Sequence, residues 1–278
     1  MPTAYEILQK RLGKLNSLGN IGAVLSWDQE VQMPPGGVEA RARQLALVAE
    51  MRHEMLISDE TGDMLENARA EVGDDGDSDA ARTIRVFAED YKEAHSLPAA
   101  FVAEFASETA LAHEIWAKAR QDSDFSHFQP KLEKLVEMAQ QMAEYIGYDE
   151  SPYDALLGQY ERGMTTAQVK GIFDAHRPAL VDLLKSIGDR PQVDDSPVRQ
   201  YFDPAKQKRF ALEMVAAMGF DFERGVQDVA VHPFCTHFSS NDVRITTRFE
   251  DNFLNPALFG MMHEAGHGMY EQGISQSL

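Results

Sequence analysis

Two histidines four residues apart, with a glutamate directly after the first, form the one pattern in this chain dense enough to carry chemistry: His263-Glu264-Ala265-Gly266-His267. On a helix, residues four apart lie one turn apart on the same face. Both imidazoles can then reach one tetrahedral ion at about 2.0–2.1 Å. Glu264, offset by one residue, falls beside a water on that ion, where it can take the water's proton. His263 and His267 are therefore read as metal ligands and Glu264 as general base, a zinc-peptidase arrangement. Gly266 and Gly268 each weaken a helix by about 0.8–1 kcal/mol relative to Ala. Their presence predicts a close neighbour at that helix.

A catalytic zinc of this type needs three protein ligands and one open position. Glu271 is the nearest later candidate, but it lies about 12 Å along the helix axis from His263 at 1.5 Å per residue. Three ligands strung over that length cannot converge. Upstream donors are His232, His237 and Asp242, and a three-histidine site with His237 is an alternative. Asp242 suits either orienting a histidine or capping a turn. Arg244 and Arg248 suit either a peptide carboxylate or ion pairs beside a small sheet. His232 suits either a substrate carbonyl or a turn before Pro233. Cys235 reads as a small buried hydrophobe, with reach to a metal as the alternative.

The elements that must position these residues are mostly helices. Leu8, Leu12, Leu15 and Leu18 mark one apolar helix face, and Met33-Pro34-Pro35-Gly36-Gly37 breaks it. Further helices are predicted from about Val38 (inner face Leu45, Val48 and Met55), over 80–94, from Pro98 past Trp116, over 127–147 and over 166–188. Pro178 should kink or divide the last of these. Asp203-Pro204 starts another, which Gly219 stops. Asp242–Phe249 alternates β-branched and polar residues and reads as a strand, with Val229 and Val231 as a partner. From about Asn255 the helical pattern returns, with Leu258, Phe259, Met262, Ala265 and Met269 as its inner face. The stretch Glu71–Asp79 reads as an acidic loop. Its Asp75, Asp77 and Asp79 fail as a calcium loop, because position six is Ala80 and position twelve is Val86. Trp27 and Trp116 read as core. The expected fold is mainly α, a multi-helix metallopeptidase fold with a small sheet beside the motif helix, forming one domain over 1–278.

Composition narrows the function classes. A net charge of −19 leaves no basic footprint for nucleic acid and disfavours anionic membranes. No apolar run reaches the roughly 18 residues that cross a bilayer. The N-terminus shows no signal-peptide pattern, and a single cysteine, Cys235, suits a reducing cytoplasm.

The ordered motifs His232-Pro233-Phe234, Asp242-Val243-Arg244-Ile245-Thr246-Thr247-Arg248 and His263–His267 with Tyr270-Glu271-Gln272-Gly273 resemble the carboxypeptidase Taq family. Trp27-Asp28 with Met33-Pro34, Ser123-Asp124-Phe125 and Tyr153-Asp154-Ala155-Leu156-Leu157 are similar to family sequence as well. The resemblance implies a helical fold with a substrate groove and removal of single C-terminal residues from peptides with a free C-terminus. It further implies zinc or cobalt and a homodimer. By position it implies His263 and His267 as ligands and Glu264 as base. His232, Asp242, Arg244 and Thr246 would line the site and place substrate.

The family's third ligand is a glutamate in a His-Glu-Ser-Gln segment some tens of residues past the motif. This sequence stops at Ser275-Gln276-Ser277-Leu278. The chain is therefore expected to be the N-terminal part of a metallocarboxypeptidase and to be inactive alone. The alternatives are a non-catalytic paralogue that binds metal weakly and a metallo-endopeptidase, the latter distinguished by cleaving amidated peptides.

Overall fold

A computed structural model of the chain describes residues 1–73 and 76–275. Asp74 and Asp75 of the acidic stretch, and residues 276–278, lie outside the described residues.

Contacts divide the chain into two compact units. The first comprises Met1–Gly19 and Ala42–Gln192, the second Asn20–Arg41 and Val193–Leu278. The chain passes between them three times: inside α1 (Ala4–Val31), inside α2 (Val38–Ile57), and between Gln192 and Val193, outside any helix. No linker composition marks the first two boundaries, because residues there must satisfy helix periodicity.

The first unit is all helix: parts of α1 and α2, then α3 (Asp59–Val72), α4 (Asp79–Ser96), α5 (Ala99–Asp122), α6 (Gln129–Ile146), α7 (Pro152–Leu157) and α8 (Thr166–Gly188). Its core gathers Leu8 and Leu15 of α1, Leu56 of α2, Leu65 and Ala68 of α3, and Ile84, Phe87 and Ala94 of α4. The predicted inner faces of α1 and α4 fit this core. Leu45, Val48 and Met55 of α2 are only half-buried, and its buried positions are Ala42, His53 and Leu56. α3 and α7 are not separate elements in the sequence reading. Each starts at a serine cap, Ser58 accepting from the Thr61 N–H and Ser151 from the Tyr153 N–H.

α8 runs unbroken through Pro178, against the expected division. A proline removes one intrahelical bond. Here a capping box at Thr165 and Gln168 anchors the 23-residue helix, and no residue of it is buried.

The second unit holds the sheet and the motif helix. α9 (Pro204–Met218) starts where Asp203 accepts from the N–H groups of Ala205 and Lys206, and ends at Gly219 with φ 112°. The strands are β1 (Gly225–Val229), β2 (Cys235–Ser239) and β3 (Asp242–Thr247), in the order β1-β3-β2. β3 is the predicted strand, and it pairs parallel to β1 and antiparallel to β2. α10 (Leu254–Gly273) carries the motif. Its core against the sheet and α9 is Ala211, Val215, Phe220, Val243, Ile245, Met261 and Ala265. No helix among the described residues is long and apolar enough to cross a membrane.

Candidate metal centre

α10 buries Ala257, Met261, Glu264, Ala265, Gly268 and Gln272, spaced three and four apart. Of the predicted inner face, Ala265 is buried and Leu258, Met262 and Met269 pack against the core, while Phe259 is 58% exposed. The sheet selects small residues for close approach. A Cβ on Gly268 would lie 2.6 Å from Phe220 Cε2 and 3.2 Å from Ile245 Cγ2. The close neighbour expected from the glycines is therefore real at Gly268. Gly266 has nothing within 4 Å and sits on the open face.

That open face carries both histidines. His263 Nε2 and His267 Nε2 stand 3.3 Å apart, with the ring planes at 83°. Two nitrogens on one tetrahedral ion, each about 2.0–2.1 Å from it, stand roughly 3.3–3.4 Å apart. The pair thus has the bite of a zinc-type ion, and the two residues fit that role. Glu264 is 8% exposed, on the side of the helix facing the sheet. Its carboxylate forms no hydrogen bond or ion pair among the described residues, which leaves both oxygens able to accept a proton.

Among the described residues, no group of three or more His, Cys, Asp or Glu side chains is placed to hold a metal ion. The three-histidine alternative with His237 is therefore not assembled. His237 Nδ1 instead lies 3.3 Å from Glu271 Oε2. This pair was visible in the sequence only as two separate candidate donors, since nothing there shows β2 running beside the end of α10. Cys235, two residues before His237, has its thiol pushed up to about 12, first by burial and then by the charges of Glu264 and Glu271. A thiol held protonated is a poor metal ligand, which supports the small-hydrophobe reading.

Three ties bring the ordered motifs together around α10. Thr246 Oγ1 accepts from the Phe234 N–H at 2.9 Å and donates to the Phe234 carbonyl at 3.2 Å, fixing the His-Pro-Phe turn on β3. Thr247 Oγ1 donates to the Ala257 carbonyl of α10 at 3.0 Å. The space of a side chain at Gly260, one turn before His263, borders Pro233 and Thr247. Thr246 is wholly buried. Its hydroxyl is engaged on both sides by one backbone residue, which holds the turn.

His232 is exposed, and its Nδ1 lies 2.6 Å from the Pro233 carbonyl. That carbonyl can only accept, so Nδ1 is the donor in this contact. Asp242 and Arg244 pair with each other: Nε to Oδ1 at 2.6 Å and an Nη to Oδ2 at 3.3 Å. The guanidinium also lies 4.7 Å from the Trp27 ring and 5.4 Å from the Phe238 ring. Sequence reasoning placed Trp27 in the core and missed this stacking, since 217 positions separate it from Arg244 (244 − 27). Asn20 Nδ2, donating to the Phe238 carbonyl at 2.7 Å, fixes the same part of α1 to β2. Arg248 binds Glu250 Oε1 at 3.2 Å, the ion-pair reading rather than the substrate one.

Comparison with known proteins gives a consistent picture. A family model described as Carboxypeptidase Taq (M32) metallopeptidase matches residues 7–278. Thermostable carboxypeptidase 1 of Thermus thermophilus is 34% identical over 283 residues, covering 98% of this chain and 55% of that protein. Carboxypeptidase 1 of Bacillus subtilis is 32% identical over 270 residues, covering 96% of this chain and 53% of that protein. The crystal structure of an M32 carboxypeptidase from Deinococcus radiodurans superposes with a TM-score of 0.83 at 34% identity, over 99% of this chain and 55% of that one. The chain thus spans about half the length of the curated relatives it matches.

Proposed function

This chain belongs to the carboxypeptidase Taq (M32) family of metallopeptidases, and on that premise we propose that it is the metal-holding part of a zinc-type metallocarboxypeptidase. His263 and His267 would hold the ion, with cobalt as an alternative to zinc, and Glu264 is the general base. The observation that carries this reading is the 3.3 Å separation of the two Nε2 atoms, with an unpaired glutamate on the adjoining helix position. When bound, the ion supplies Lewis acidity that makes water acidic enough for a carboxylate to deprotonate near neutral pH. Glu264 accepts that proton on a carboxylate oxygen that no other group occupies. His232 offers a ring nitrogen from a turn fixed by Thr246. Arg244, pre-oriented by Asp242 and stacked on Trp27, presents a cation to a peptide carboxylate. The proposed substrates are peptides with a free C-terminus. Homodimer assembly and a cytoplasmic location belong to the same reading, supported by the family resemblance and by the single cysteine.

Zinc and cobalt calorimetry tests the centre. The parent chain should bind one ion, H263A and H267A should lose it, and E264Q should keep it. Metal binding unchanged in both histidine variants would sink the assignment. For catalysis, blocked dipeptides with a free C-terminus should be hydrolysed and their C-terminal amides left intact. Cleavage of the amides would point to an endopeptidase.

The donor count favours a second reading for the 278-residue chain on its own: it holds metal weakly through two histidines and does not turn over. Tight stoichiometric zinc binding by this chain would contradict it.

A further inference from the structure

The first unit carries an open pocket of about 790 Å³ bordered by α1, α2, α4, the start of α5 and the segment after α7. Its size lies within the usual range of small-molecule sites, roughly 300–1,000 Å³. Its apolar wall is built from core side chains, among them Leu15, Leu56 and Phe87.

Its charges decide what it could hold, and most are already matched. Arg162 binds Asp90 at 2.7 Å and Glu89 at 3.1 Å. Arg82 lies 3.5 Å from Asp77. His53 Nε2, on a buried ring, donates to the Leu97 carbonyl at 2.8 Å. Two charged lining groups remain. Arg52 has no hydrogen bond or ion pair among the described residues, and its side chain lies along α1 over the bare face of Gly19. The Glu93 carboxylate likewise has no bonded partner among them. Burial pushes its pKa up, with Arg162 opposing and Asp90 adding to the shift. A half-buried carboxylate without a bonded cation is costly to keep charged, and a ligand cation would relieve that.

We propose that this cavity binds a zwitterionic small molecule, an α-amino acid with an apolar side chain, through Arg52 and Glu93. Arg52 takes the ligand carboxylate, for which a planar guanidinium is suited. Glu93 takes the ammonium group, and the side chain lies against Leu56 and Phe87. This inference does not rest on the proposed peptidase reading, although a free amino acid is the kind of product that reaction would release.

The test is binding to the full chain without turnover, by calorimetry and ligand-observed NMR with L-leucine as the probe. A ligand of this size should bind with a Kd on the order of millimolar. N-acetyl-leucine, which lacks the cation, and leucinamide, which lacks the anion, should each bind about tenfold more weakly. Arg52→Gln should weaken leucine by about tenfold and leave leucinamide unchanged, while Glu93→Gln should do the same for leucine and leave N-acetyl-leucine unchanged. The dipeptide Leu-Leu, with its charges further apart, should bind more weakly than leucine. The H263A/H267A double variant should bind leucine as the parent does, which separates this cavity from the metal histidines. The proposal is overturned by any of four results: no leucine binding up to about 50 mM, leucine binding unaltered in both charge variants, Leu-Leu binding as tightly as leucine, or loss of leucine binding in the histidine variant. The analogue series uses the parent protein, so it decides the matter even where a charge variant folds poorly.

Discussion

The ring of Phe220 occupies the space that any side chain at Gly268 would need, 2.6 Å from the position of its Cβ. This contact lets the motif helix approach the sheet closely. Gly268→Ala should destabilise the fold by about 1–3 kcal/mol through overpacking. Gly266→Ala, with nothing within 4 Å, should stabilise it by up to about 1 kcal/mol through helix propensity. Urea unfolding of the two variants checks the opposite signs, and equal effects would refute the packing account.

Thr246 ties the His-Pro-Phe turn to β3 through both polar groups of Phe234. Thr246→Val keeps the shape but leaves the Phe234 N–H without its acceptor. A loss of about 1–3 kcal/mol is expected, with Thr246→Ser close to the parent. Denaturant midpoints of the three proteins decide it.

Cys235, with its thiol pushed up to about 12 by burial and the nearby charges of Glu264 and Glu271, should resist thiol reagents. At pH 8 an ordinary thiol is roughly a quarter ionised, whereas this one would be ionised to about one part in 10⁴. A disulfide reagent should react slowly with native protein and fast in guanidinium. Because the folded pKa is raised, this group's stabilising effect holds below about pH 8.5 and fades as pH climbs towards the folded value.

Asp154 Oδ1 accepts from the Thr166 hydroxyl at 2.5 Å and from the Thr166 N–H at 2.6 Å, at the start of α8. These bonds hold its carboxyl below the usual range, the hydroxyl contributing most. A depressed folded pKa means that the stabilisation is complete above about pH 4 and lost as pH falls through the folded value. Melting temperatures of the parent and Asp154→Asn should differ at pH 6 and converge near pH 2. A gap that stays constant with pH would contradict the ionic account.

Ile84 is fully buried in the first unit's core, whereas Phe173 on α8 is 64% exposed. Ile84→Ala should lose about 2–5 kcal/mol, while Phe173→Ser should change stability by less than about 0.5 kcal/mol. Thermal melts of the two variants measure the contrast.

Local signals in the sequence were sufficient for the parts of this protein governed by short-range rules. Asp203-Pro204 and Gly219 bracket α9 because caps act within one turn. The spacing of His263 and His267 gave their shared face, because helix pitch is fixed. The ordered motifs gave the family. Long-range packing decided the rest. The burial of Glu264 and the exposure of Phe259 on α10 follow from how that helix meets the sheet, with Gly268 fitted against Phe220 and Ile245. The engagement of Thr246 with Phe234, the stacking of Arg244 on Trp27 and the pairing of His237 with Glu271 join residues on different elements. No periodicity encodes those contacts, since each depends on how strands and helices from distant parts of the chain come to rest against one another.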